Sequence, residues 1–234
     1  ATITAGNYAA VNALNGTGNA YTVTVNDQIS VAQADVLAAK TTGVVTATLS
    51  TGDMATLAGL NETGNAYTVT ITDTSATAAA LTTLDGKTTV AVQAGNVTSI
   101  SGTATEVKAA YTADANGTIV LDGDEAVSVS GSVSVADANI IAGKTSGVVT
   151  ASIASGTYTA LNALNETVNA YALSLSESIT VDQANTLAAK TTGVVTATLS
   201  TGDLTTLAGL NETGHAYTVT VTDGAGCTTT TTST

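Results

Sequence analysis

The sequence predicts an α/β solenoid in which about ten coils, each one strand plus one short helix, stack with a parallel sheet along one face. Two observations predict it: a long internal duplication, and a hydrophobic period that changes at the same place in each repeat. Composition agrees, since the chain has no Phe, Trp or Pro and only 3% aromatic residues. Small aliphatic side chains fill narrow, regularly layered interiors well.

The duplication relates residues 21–66 to residues 171–216. The segment VTATLSTGDMATLAGLNETGNA at 45–66 returns at 195–216 with three substitutions. Residues 21–44 return at 171–194 with the same offset of 150. A repeat of this kind indicates tandem units, each of which buries its apolar face against its neighbours.

Each unit changes period once. The alternation of Tyr67–Ile71 is typical of a strand, whereas Ala79, Leu81 and Leu84 have helical spacing. Coils of about 22 to 24 residues then fill the chain. We expect one domain over 1–224, followed by a Thr-rich flexible tail or linker over 225–234, which has no core-forming pattern.

Helix ends are marked in the sequence. Thr103 and Glu106 have the spacing of a capping box, which predicts a helix that begins near Thr103. Glycines that follow a lysine by three residues predict left-handed helix ends, with the lysine capping the last turn. The glycines are Gly43, Gly147 and Gly193, and the lysines are Lys40, Lys144, Lys190 and, by its similar position, Lys87.

Alternation along the strands predicts which side chains face the core. We expect Val23, Val25, Ala47 and Leu49 to point inward and stack between layers. Ten strands spaced about 4.8 Å apart give a rod about 50 Å long. Tyrosines recur where strands start, and we expect them to stack as a ladder: Tyr21, Tyr67, Tyr171 and Tyr217.

The outward strand positions are rich in threonine. Paired threonines on stacked strands would form a flat lattice of hydroxyl and methyl groups, of the kind that ice-binding solenoids use. Ala91, Gln93, Ser128, Ser130 and other residues interrupt this lattice in the middle of the chain, and threonine is also an ordinary solvent-facing strand residue. The predicted outward ladder comprises Thr22, Thr24, Thr46, Thr48, Thr68, Thr70, Thr196 and Thr198.

The charge limits the partners. The formal net charge is −13 and the chain has no Arg, which disfavours nucleic acid and anionic membrane surfaces as partners. No run of about 18 apolar residues occurs, so we expect no membrane insertion. With a single histidine, His215, and a single cysteine, Cys227, we expect no catalytic residues and no bound cofactor.

Two segments resemble ligand sites. Asp122, Asp124 and Glu125 place three carboxylates at a turn and are weak calcium candidates, although an acidic solvated turn is the commoner explanation. The segments at 86–89 and 143–146 look like the end of a phosphate-binding loop. They lack its upstream glycine, because Leu81 and Ala138 stand there, so we expect a role in helix capping instead.

Three distinctive segments are SISGTATEVKAAY at 99–111, GDEAVSVSGSVSVADAN at 123–139, and AAKTTGVVTATLS, which occurs at 38–50 and again at 188–200. They resemble tandem repeats in very long, acidic, Thr/Ala-rich surface or secreted proteins of marine cyanobacteria and their phages. The resemblance implies an extracellular or virion structure with no catalytic residues.

The two ends predict assembly. Thr2, Ile3 and Thr4 align with part of a later strand, and Thr218, Val219, Thr220 and Val221 form a strand with only the tail after it. Solenoid ends without capping repeats expose sheet edges that can pair. We therefore expect a non-enzymatic structural protein of an extracellular fibre, sheath or surface layer, which stacks end to end with copies of itself.

Two alternatives remain at the level of sequence. One is an adhesion or recognition rod, such as a phage fibre or cell adhesin, that binds cell-surface glycans or other surface proteins. The other is an ice-binding protein that uses the outward threonines. The expected location is extracellular or the cell surface, with the virion as an alternative.

Overall fold

The computed structural model describes residues 1–3, 5–200, 204–210, 214–222 and 228–233. Within them the chain is an α/β protein in which helices and strands are interspersed and the strands pair in parallel except for the last pair. It forms two compact units, Ala1–Glu125 and Ala126–Thr234, where the sequence predicts one domain over 1–224. We call a helix together with the strand before it a repeat.

The N-terminal unit contains five helices and seven strands among its described residues. Strands β1, β2 and β3 form one parallel sheet, and β4 pairs with β6 and β5 with β7 in the same sense. The helices are α1 (Tyr8–Asn12), α2 (Val31–Ala38), α3 (Met54–Leu57), α4 (Ala78–Asp85) and α5 (Ala104–Ala115), and the strands are β1 (Val23–Ile29), β2 (Val45–Leu49), β3 (Ala66–Thr68), β4 (Ser75–Thr77), β5 (Val92–Gln93), β6 (Ser99–Thr103) and β7 (Ile119–Val120).

The C-terminal unit is more regular. Strands β8 to β12 pair side by side in chain order and in parallel, and β13 pairs antiparallel with β12. The helices are α6 (Val135–Ala142), α7 (Tyr158–Leu161), α8 (Val181–Ala188) and α9 (Leu204–Leu207), and the strands are β8 (Ala126–Val133), β9 (Val149–Ile153), β10 (Ala170–Ile179), β11 (Val195–Leu199), β12 (Ala216–Thr222) and β13 (Thr228–Ser233).

Most helices begin at a side-chain cap. Thr103 caps α5 and forms the predicted capping box with Glu106, which confirms that prediction. Ser30 with Gln33 and Thr180 with Gln183 form two further boxes. These caps satisfy backbone amides that have no partner within the first helical turn. In the regular parts of the chain successive helices start about 23 residues apart.

The core follows the strand alternation. Val45, Ala47 and Leu49 are buried in β2, and the outward residues between them are exposed. Val23 and Val25 are likewise buried, so the predicted inward positions are confirmed. One layer of β-branched and aliphatic side chains thus packs beneath each sheet, and the polar face points away from it.

The Thr-rich end of the chain differs from the prediction. The sequence predicts a flexible tail over 225–234, but β13 at Thr228–Ser233 pairs with β12 along six residue pairs. Threonine favours strands, and the edge of β12 offers unpaired backbone groups for a further strand to bind. The prediction of a tail is wrong for these residues.

Candidate functional site

Lysine side chains connect successive repeats. The Lys40 ammonium donates to the carbonyl of Leu14 at 3.1 Å, and Lys190 donates to the carbonyl of Leu164 at 2.7 Å. Lys87 makes a longer contact of the same kind, at 3.5 Å from its Nζ to the carbonyl oxygen of Asn61. The prediction that these lysines cap their own helices is wrong, because each lies beyond its helix and reaches the turn 26 residues earlier.

The threonine after each of these lysines bonds to the backbone where the preceding strand starts. Thr191 Oγ1 accepts from the amide of Tyr171 at 2.7 Å and from the amide of Gly193 at 2.9 Å. The same hydroxyl donates to the carbonyl of Tyr171 at 2.8 Å. Thr41 makes the matching bonds to Tyr21, so both copies of the duplication share this arrangement.

A glycine stands two residues after this threonine, because the backbone of the preceding strand comes close to it there. A Cβ atom on Gly193 would lie 2.4 Å from the carbonyl oxygen of Tyr171, and one on Gly43 would lie 2.4 Å from that of Tyr21. Neither glycine has a positive φ, and neither does Gly147, so the predicted left-handed helix ends are wrong. The glycines instead leave room for the backbone of the previous strand.

Buried side chains just before three strands also bond back to the preceding strand. Asn65 Oδ1 accepts from the amide of Val45 at 2.8 Å, and Asn169 Oδ1 accepts from that of Val149 at 2.7 Å. His215 takes the place of Asn65 in the duplication, and its Nδ1 accepts from the Val195 amide at 3.1 Å. Nδ1 of His215 thus accepts the hydrogen bond that the side-chain oxygen of Asn65 accepts at the duplicate position.

Acidic side chains cap short helices in the neighbouring repeat. Asp27 accepts from the amide of Tyr8, Asp73 from that of Met54, and Glu177 from that of Tyr158, at 2.6 to 2.8 Å. A carboxylate is favoured at a helix N-terminus because the unpaired amides there carry partial positive charge. We use the name inter-repeat network for the residues that make these contacts: Asp27, Lys40, Thr41, Asn65, Asp73, Lys87, Thr88, Asn169, Glu177, Lys190, Thr191 and His215.

The acidic turn does not gather its carboxylates. Glu125 is fully buried, and its Oε1 accepts from the amides of Asp122 and Gly123, both at 3.0 Å. Its Oε2 accepts from the hydroxyl of Tyr111 at 3.2 Å. No group of three His, Cys, Asp or Glu side chains among the described residues is placed to hold a metal ion. The calcium site at Asp122, Asp124 and Glu125 stays a prediction, and the geometry gives it no support because Glu125 closes the turn.

The outward threonines are out of register between strands. Thr46 pairs with Thr24 on one side and Ala66 on the other, whereas Thr48 pairs with Gln28 and Thr68. The shift arises at a bulge, where β1 has three residues opposite the single Ala47. The predicted ladder is thus split into short rows, although Thr22, Thr46, Thr48, Thr68, Thr196 and Thr198 are exposed and Thr24 and Thr70 are half-buried.

The tyrosine ladder also fails to form. Tyr67 and Tyr171 are fully buried and Tyr217 nearly so, but Tyr21 lies before β1 and Tyr67 in β3, with β2 between them. A strand thus separates tyrosines that the sequence predicts to stack. Burial, followed by the negative charges of Asp35 and Glu62, raises the pKa of Tyr67 to about 12. Burial and the charge of Glu166 do the same for the pKa of Tyr171.

One predicted assembly edge has an unpaired side. The Thr22 carbonyl accepts from the amide of Ile3 at 2.8 Å, and the Thr22 amide donates to the carbonyl of Ala1 at 3.0 Å. In this parallel bridge the amide and carbonyl of Thr2 point away from Thr22. No strand among the described residues pairs with that outer side. Thr4, the third residue of the predicted edge, lies outside the described residues.

The other predicted edge is covered. Thr218, Val219, Thr220 and Val221 lie in β12, which pairs with β11 on one side and with β13 on the other. The prediction of an open edge here is wrong for the same reason as that of the tail. Strand β13 is the last strand of its sheet within the described part of the chain.

Comparison with protein-family models, with curated protein sequences and with solved structures found no match to this chain. None of the helices in the described residues is long and apolar enough to cross a membrane.

Sequence reasoning missed the inter-repeat network. The recurring AAKTTGVV segment was the available signal, since Lys40 and Thr41 return as Lys190 and Thr191 with every neighbour unchanged. The same Lys-Thr pair occurs as Lys87 and Thr88 in the segment that looks like a phosphate-binding loop. There, Thr88 Oγ1 donates to the carbonyl of Tyr67 at 2.7 Å, so these side chains serve the fold.

Proposed function

We propose that the chain is an α/β solenoid and a non-enzymatic structural module of an extracellular fibre, sheath or surface layer. One observation carries the proposal: the Lys-Thr pair bonds to the preceding repeat in the same way at Lys40–Thr41 and Lys190–Thr191. Reactive and charged side chains are thus used to join neighbouring repeats. A repeat module depends on such bonds, because each repeat contacts only the repeats beside it.

Association through a sheet edge supplies the assembly step. The outward amide and carbonyl of Thr2 match the pairing that Thr22 makes on the inner side. A further repeat, from a second copy or from another segment of the same protein, would extend the sheet there. The outer side of β13 is the second place where a strand can add.

Charge supports the location and the class of partner. With a net charge of −13 and no Arg, the surface repels phosphate-rich partners, so we propose neither nucleic-acid binding nor membrane insertion. An acidic, threonine-rich surface suits an extracellular or cell-surface position, with the virion as an alternative. Its partners would be copies of itself and, in second place, surface glycans or surface proteins.

A second function has one observation in its favour. Because β13 covers β12, stacking at that end cannot repeat the parallel pairing of β11 with β12. With β12 covered in this way, an adhesion or recognition element is favoured over a filament that extends through β12. Ice binding through the outward threonines is the weaker alternative, since the rows are out of register.

The test is sedimentation velocity of the 234-residue chain over a wide concentration range. Thr2→Pro removes the outward amide but leaves the two bonds to Thr22, which use Ala1 and Ile3. Thr2→Ser is the matched control, because it keeps that amide.

We expect the parent chain and Thr2→Ser to form larger species as concentration rises, and Thr2→Pro to stay monomeric. A parent chain that stays monomeric throughout contradicts assembly and favours the adhesion rod, which a glycan-array screen would then examine.

A further inference from the structure

Two asparagines in the sequence are followed by glycine, at Asn15–Gly16 and Asn116–Gly117. This dipeptide is chemically special because the following amide nitrogen can reach the asparagine side chain when no Cβ hinders it. The reaction also needs a free amide and a mobile side chain. The structure distinguishes the two sites on both points.

At Asn116 the attacking amide is engaged. The Gly117 amide donates to the carbonyl of Asp114 at 2.8 Å, at the end of α5. Gly117 also has a φ of 75°, which the end of the helix holds in place. The nitrogen would have to break this bond before it could react.

At Asn15 both groups are unengaged. Asn15 is exposed, and within the described residues neither its side chain nor the Gly16 amide makes a hydrogen bond. The asparagines at the corresponding turns, Asn61 and Asn165, are held by hydrogen bonds. Asn61 donates to Asp35 through both its backbone amide and its side chain, at 3.1 and 2.9 Å, and the Asn165 amide donates to Asn139 Oδ1 at 3.0 Å.

We propose that Asn15 is a site of spontaneous deamidation, a covalent modification that places a carboxylate at this turn. The Gly16 nitrogen attacks Asn15 Cγ, the C–N bond of the side-chain amide breaks, and the NH2 group leaves as ammonia after taking up the proton that the Gly16 nitrogen loses. Water then opens the resulting five-membered succinimide at either carbonyl and gives aspartate or isoaspartate at position 15. Water is the only co-reactant, and no electrons are transferred.

The new charge would arise beside the inter-repeat network. Lys40 bonds to the carbonyl of Leu14, the residue just before Asn15. An aspartate carboxylate at position 15 would attract this ammonium, whereas isoaspartate inserts an extra backbone carbon and moves the chain next to the Leu14 carbonyl. The modification therefore acts on one contact between the first two repeats, and it does not depend on the proposed assembly.

The experiment is peptide mapping by mass spectrometry of the full chain, aged in mildly alkaline buffer. Deamidation adds about 1 Da to the affected peptide. We expect Asn15 to react about tenfold or more faster than Asn116, Asn61 or Asn165, because only Asn15 combines the glycine with free groups.

The control variant is Gly16→Glu, which gives the Asn-Glu-Thr-Gly sequence already present at 61–64. The one close contact of an added Cβ would be the end of the exposed Asn19 side chain, which can rotate away, and the Tyr21 hydroxyl would lie 4.0 Å from it. We expect this variant to fold and to lose the mass gain at Asn15. An unchanged Asn15 in the aged parent, equal rates at Asn15 and Asn116, or an equal rate in Gly16→Glu would each overturn the proposal.

Discussion

The Lys190 ammonium lies 2.7 Å from the carbonyl oxygen of Leu164, and this bond joins two successive repeats of the C-terminal unit. Lys190→Met keeps most of the side-chain length but removes the donor. Because a charged hydrogen bond is lost, we expect the free energy of unfolding to fall by about 1–2 kcal/mol in urea denaturation. Lys87→Met should cost less, since that contact is 3.5 Å long. Equal losses for the two variants would contradict this ranking.

The buried Thr191 hydroxyl bonds to the Tyr171 backbone and joins the same two repeats as Lys190. Thr191→Val is nearly isosteric but leaves the buried amide of Tyr171 without its 2.7 Å partner. We expect a loss of about 2–3 kcal/mol in the free energy of unfolding. Thr191→Ser keeps the hydroxyl and should retain most of the stability. If the valine variant were as stable as the parent, the hydroxyl would have no structural role.

Gly193 tests the close approach of two strands. Gly193→Ala places a methyl group 2.4 Å from the Tyr171 carbonyl oxygen, and we expect a loss of about 2–3 kcal/mol or failure to fold. Gly156→Ala is the control, because its nearest contact would be 3.5 Å and its φ is not positive. Thermal unfolding of both variants measures the difference, and similar melting temperatures would contradict the steric explanation.

His215 should be replaceable by the residue at its duplicate position. His215→Asn is expected to change the free energy of unfolding by less than about 0.5 kcal/mol, since Asn65 binds the equivalent amide. His215→Leu removes the acceptor from the buried Val195 amide and should cost about 1–3 kcal/mol. A leucine variant as stable as the asparagine variant would show that the hydrogen bond contributes nothing.

Tyr171 predicts how stability depends on alkaline pH. Its pKa is raised to about 12 in the folded protein, whereas an exposed tyrosine in the unfolded chain has a pKa of about 10. As the pH rises, Tyr171 therefore loses its proton in the unfolded chain first. The contribution of Tyr171 to the free energy of unfolding is complete below about pH 10 and is lost as the pH rises toward 12. Tyr171→Phe should flatten this decline, by about 1–2 kcal/mol at the upper end. Parallel pH profiles for the two proteins would contradict the shift.

Local features of the fold could be predicted, and those that depend on neighbouring repeats could not. The Thr103–Glu106 capping box and the inward Val23 are set by residues within a few positions, so their patterns are visible in the sequence. The role of Lys40 depends on a carbonyl 26 residues away, whose position is known only once the repeats are stacked. Strand β13 has no apolar alternation from which it could be predicted. It pairs with the edge of β12, whose position is known only from the fold.

The acidic turn at Asp122–Glu125 also shows that a feature which depends on packing could not be predicted from the sequence. Counting carboxylates suggested a cation site, yet burial of Glu125 and its bonds to two backbone amides leave that side chain closing a turn. Burial of a single side chain depends on packing, which residue type and spacing do not specify.

Electron microscopy of the purified 234-residue chain beside Thr2→Pro tests the central proposal most directly. Assembly through the Thr2 edge predicts filaments for the parent protein and only short particles for the variant. Short particles from both proteins, at every concentration, would contradict a self-assembling structural role.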